Sequence, residues 1–178
     1  MCSWLNVCAQ QGSEEAAALM SYVEALPCYT TGSIVAHFDL HETTDTDLTT
    51  FRPALAARDG APLGYKNEFQ HIPDGFYCVG NTVRPSLDFQ KALIAGVETV
   101  THIAPPDDAG CIIGVEIQAP GIIMYAAREL GLCMGLTEAP YVTTTEVYPD
   151  SEGVTDDQCA AAQVMVITSG LDFILSQH

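Results

Sequence analysis

Basic side chains are scarce in this chain: 6 Lys and Arg stand against 23 Asp and Glu, a formal net charge of -17 over 178 residues. A surface of that sign repels phosphates and anionic lipid, so nucleic acid is excluded as a partner and no membrane association is expected. No run of about 18 apolar residues offers a bilayer span. The seven cysteines (Cys2, Cys8, Cys28, Cys78, Cys111, Cys133 and Cys159) include no CxxC pair, which argues against a zinc ribbon or a thioredoxin-type site. GxGxxG, P-loop, GxSxG and HExxH patterns are all missing, and so are internal repeats and low-complexity tracts. The opening MCSWLNVCAQQGSEE has neither a basic leader nor a long apolar stretch. A reducing, cytoplasmic setting without a disulfide framework is therefore expected.

What is present suits a folded protein. Apolar residues make up 48% and charged residues 16%, enough to bury a core in a single domain over residues 1–178. Ser13 followed by Glu14 and Glu15 reads as a helix start, with Leu19, Met20, Val23 and Leu26 at helical spacing and Pro27 as its end. SIVAHFDLHE (33–42) alternates with period two, so Ile34, Ala36, Phe38 and Leu40 share one face of a strand and Val35, His37, Asp39 and His41 the other. Residues 51–85, dense in Gly and Pro, read as irregular with short strands. Further on, the pattern predicts a helix from Ser86 to about Thr101, a strand from Cys111 to Gln118 and a short helix from Tyr125 to Leu130. YVTTTEVYPDS (141–151) predicts a strand, and Thr155–Gln158 a capping box. The helix it opens runs to about Leu175, with Val164, Ile167, Leu171 and Ile174 as its buried face. Strands mixed with helices indicate a layered α/β domain.

Chemistry concentrates in a few places. His37, Asp39, His41 and Glu42 gather toward the C-terminal end of the first strand, where open α/β sheets bind ligands. An imidazole there can bind a metal while Asp39 or Glu42 orients it; equally, these side chains suit a semi-buried histidine and a solvated loop. Glu146, a carboxylate within a neutral strand, is a candidate general base or an edge-strand surface residue, and Glu138 is a weaker alternative. Arg52 and Arg58 can fork onto a substrate carboxylate or neutralise the nearby aspartates. Tyr125, Tyr141 and Tyr148 can donate phenol hydrogen bonds to a substrate or pack in the core.

AHFDLHETTDTD, FRPALAARDG and APYVTTTEVYPDS together resemble the C-terminal part of the zinc carboxypeptidase superfamily, the carboxypeptidase A-like metallopeptidases, from about Ser33 onward. The resemblance implies an α/β fold with a mixed, largely parallel sheet, helices on its faces, and an N-terminal truncation. It implies that His41, in Asp39-Leu40-His41, is the last zinc ligand. Glu146, in Thr144-Thr145-Glu146, is then the base for metal-bound water, and Arg52, Arg58 and Tyr125 are substrate-binding. The implied substrate is a peptide or acylamino-acid amide. The family's upstream HxxE ligands have no counterpart: none of His37, His41, His71, His102 and His178 has a glutamate three positions later. His71 reaches Asp74, but after His41 in chain order. The implied enzyme is thus incomplete or inactive as this chain, with tight zinc binding in doubt. The alternative is a non-catalytic acidic α/β binding domain that has lost its metal. A truncated sheet would also leave a strand edge through which copies could self-associate.

Overall fold

The computed structural model describes residues 14–58, 60 and 72–177. In chain order these form α1 (Glu14–Glu24), α2 (Pro27–Thr30), β1 (Ala36–Glu42), a π-helical turn (Asp47–Phe51) running into α3 (Arg52–Arg58), and β2 (Tyr77–Asn81). Next come α4 (Leu87–Val97), β3 (Cys111–Ile112), β4 (Val115–Glu116), β5 (Ile122–Tyr125), a 3₁₀ turn (Cys133–Gly135), β6 (Tyr141–Val147) and α5 (Asp156–Ser176). The protein is a mixed α/β fold around a four-stranded sheet of order β1-β6-β2-β5. β1 runs parallel to β6 and β2 parallel to β5; the join between β6 and β2 is antiparallel.

β6 lies inside the sheet, and the threonines of its VTTTEV run explain how it tolerates that position. β-branched side chains favour the extended chain, while their hydroxyls must find partners when buried. Thr143 donates to Gln90 Oε1 at 2.9 Å, Thr144 to Asp39 Oδ2 at 3.1 Å, and Thr145 to Gln163 Oε1 at 2.6 Å. α4, β1 and α5 are thereby each tied to this strand.

The two long helices cover the same sheet face. There Phe76, Cys78, Ile122 and Val147 meet Phe89, Leu93 and Val97 of α4 and Ala162, Val166 and Ile174 of α5. The other face carries a second core of Tyr77, Val79 and Ile123 against Ala104, Ile112, Ala127, Leu132 and Met134. Its cover is the irregular stretch between α4 and β6, so the expectation of helices on both faces is met on one. Gly and Pro between residues 105 and 135 break any continuous helix there.

Several local readings change. Cys111–Gln118 is a tight hairpin, because Ile113 (φ 45°) and Gly114 (φ 76°) both take the left-handed backbone of a two-residue turn. Residues 122–125 form strand β5, so Tyr125 ends a strand instead of starting a helix. Within 51–85, Arg52–Arg58 is helical. The capping box of α5 is formed, with Gln158 N–H donating to Thr155 Oγ1 at 3.2 Å and Thr155 N–H to Gln158 Oε1 at 3.1 Å. The inner face of α5, however, is Cys159, Ala162, Val166, Gly170 and Ile174, while Val164 and Leu171 are exposed. Close packing selects that face: a Cβ on Gly170 would lie 2.7 Å from Phe38 Cζ. Ser13 and His71 lie outside the described residues. Among the described residues, α5 is also the one helix long and apolar enough to cross a membrane; here it packs on α4 and β6.

Candidate functional site

Period-two alternation puts His37, Asp39 and His41 of β1 on the sheet face away from α4 and α5. β6 lies beside β1 in the register His37–Val142, Asp39–Thr144, His41–Glu146. The parallel pairing therefore brings His41 and Glu146, far apart in sequence, to adjacent positions at the C-terminal ends of both strands. On its other side Glu146 is in register with Tyr77 of β2, and its exposure is 3%. It is thus a buried residue of an interior strand and not an edge-strand surface residue.

The polar contacts fix each group. His41 Nε2 lies 2.9 Å from Asp39 Oδ1, and the other Asp39 oxygen accepts from Thr144 Oγ1. An ionised carboxylate only accepts, so the His41 proton is assigned to Nε2. That leaves Nδ1 facing Glu146 Oε1 across 3.7 Å, too long for a hydrogen bond but within ion-pair reach. The second Glu146 oxygen accepts from Thr43 Oγ1 at 2.9 Å. From α5, Gln163 donates to the His41 carbonyl at 2.8 Å, which locks the strand beneath the imidazole.

Burial pushes the Glu146 carboxyl up to about 7; His41 and the Thr43 hydroxyl oppose this, and the charges of Asp39 and Asp47 add to it. Burial alone would lower His41. The hydrogen bond and charge of Asp39, with the charge of Glu146, outweigh it, and the imidazole pKa is raised. His37 is lowered by burial, opposed by Asp39; its Nδ1 lies 3.1 Å from Thr137 Oγ1. The two raised groups face each other at the C-terminal ends of β1 and β6, with the Asp39 carboxylate holding the far end of the imidazole.

The remaining candidates fall elsewhere. Tyr125 pairs with Asn81 at the far end of the sheet, on the opposite edge strand from β1. Arg52 is half-buried at the start of α3 and Arg58 is exposed at its end, both beyond the turn that follows β1. Glu42 points to the α5 side and is exposed, so of the two carboxylates proposed to orient His41, Asp39 is the one that touches it. Glu138 is held by Arg84 at 2.8 Å and by Arg128. Tyr148 donates to Asp45 Oδ1 at 2.7 Å, a bond that pushes its phenol up to about 12. Tyr141 packs tilted against Phe89 and edge-to-face against Phe173. Sequence reasoning missed Thr43, although continuing the alternation of His37, Asp39 and His41 by one step reaches it.

The donor set decides whether zinc fits. A catalytic zinc takes three protein ligands and a water. Among the described residues no group of three His, Cys, Asp or Glu converges as metal ligands. His41 Nδ1, which faces Glu146 across 3.7 Å, supplies one imidazole donor. The described residues on their own do not fit a zinc centre.

No protein-family model matches the chain, and no curated protein matches its sequence.

Proposed function

We propose that this chain is a metallocarboxypeptidase-like domain that carries the proton-handling part of an amide-hydrolysing centre, incomplete or inactive as this chain. Its substrate class is a peptide or an acylamino acid. The observation that carries the reading is the buried register pair: His41 Nδ1, freed by the Asp39 bond to Nε2, faces the Glu146 carboxylate. Glu146, with a pKa near neutrality, suits a general base that takes a proton from water and returns it to a departing amine. His41 would be the one imidazole that such a centre retains, and Asp39 the carboxylate that sets its tautomer.

A second reading is favoured by the single imidazole: an acidic α/β binding domain without metal. Metal content separates the two. The chain is loaded with zinc, dialysed, and its metal measured beside the His41→Ala variant. Stoichiometric zinc that His41→Ala abolishes, with hydrolysis of a blocked acyl-dipeptide, supports the hydrolase. A folded, metal-free chain that turns over no such amide supports the binding domain.

A further inference from the structure

The sheet face opposite Glu146 carries a second feature at the same end of β1. A groove of about 330 Å³ opens between β1, the end of β6 and the first turns of α5. Leu40, Val147, Pro149 and Ala160 give it apolar walls, and Glu42 and Asp156 add two carboxylates to the same lining. Leu40 is 42% exposed on the edge strand. Cys159 also lines the groove; burial raises its thiol pKa, and the charges of Asp156 and Glu42 raise it further, so the negative potential of both carboxylates reaches inside.

The backbone beside this groove is open. Thr43 N–H donates to the Val147 carbonyl at 2.9 Å, so Asp39, His41 and Thr43 turn their main-chain groups toward β6. Phe38, Leu40 and Glu42 then turn theirs outward, and among the described residues these outward groups have no main-chain partner. A strand edge of this kind takes an extended segment by β-addition, with main-chain bonds giving affinity and alternate side chains giving specificity.

We propose that this groove docks an extended, basic segment of another protein. The segment adds to the outer edge of β1, seats an apolar side chain among Leu40, Pro149 and Ala160, and sets a lysine or arginine against Glu42 and Asp156. Charge chooses the occupant: a second copy brings the same net charge of -17 to an already acidic edge, whereas a cationic strand relieves it.

The test uses the full chain and a fluorescent peptide of roughly nine residues alternating valine with lysine, followed by anisotropy. Saturable binding is expected, weakened about tenfold when glutamate replaces lysine and about fivefold or more by Glu42→Gln. N-methylation of alternate peptide nitrogens should abolish it, while Glu24→Gln on the exposed face of α1 should change nothing. Absence of binding, or binding that ignores Glu42→Gln or N-methylation, would overturn the proposal. So would sedimentation showing a dimer that Leu40→Lys dissolves, because the edge would then belong to a second copy.

Discussion

At Glu146, burial and neighbouring charge set one carboxyl's proton affinity, and stability must follow. The folded pKa of about 7 lies above the reference 4.5, so the folded state holds a proton that the unfolded chain has released. Stability attributable to this group therefore falls as pH rises from about 4.5 to about 7 and levels off above. Glu146→Gln keeps an acceptor for Thr43 and removes the charge. The variant should match the native chain near pH 4.5 and be more stable at pH 8 by on the order of 2–3 kcal/mol, read from urea unfolding across pH. A difference that does not change with pH would show that Glu146 is not held as described. The imidazole offers an independent check. Asp39→Asn removes the charge that helps raise His41 while its amide oxygen can still accept from Nε2, so the His41 pKa should drop in an NMR titration. An unchanged value would show that Asp39 does not hold the imidazole as described.

Among the elements, α5 shows how packing overrules an apparent amphipathic pattern. Its capping box was readable because Thr155 and Gln158 act within one turn. Its buried face was not, because several sets of apolar residues share helical spacing and only the neighbours choose among them. Phe38 from β1 and Ser169 facing Gly96 of α4 leave room for little more than hydrogen or methyl groups, so Ala162 and Gly170 turn inward and Leu171 outward. Gly170→Ala should destabilise by about 1–3 kcal/mol through overpacking against Phe38, despite the better helix propensity of alanine. Urea denaturation measures it, and a stabilised variant would contradict the close approach. The hairpin at Ile113-Gly114 teaches the same lesson: an apolar run long enough for one strand folds back on itself when its middle residues take positive φ.

For the molecule as a whole, charge and cysteine chemistry pull in different directions. The scattered cysteines predict no disulfide framework, and Cys28, Cys78, Cys111 and Cys159 are free. Cys133, however, is disulfide-bonded, which departs from that expectation. Thiol titration of the denatured chain should count two fewer reactive sulfurs without reductant than with it; equal counts would restore the fully reduced reading.

The alternation in SIVAHFDLHE placed His37, Asp39 and His41 on one face because side-chain direction along a strand is a property of the local backbone. The turn chemistry at Thr155 was legible for the same reason. Tertiary structure alone decided that β6 runs parallel beside β1 and inside the sheet, and so that Glu146 meets His41. It also decided that Tyr125 stands at the far end and that Arg52 and Arg58 sit beyond the following turn. Proton affinity depends on burial and on charges a few ångströms away, and those distances exist only once separate segments have packed together.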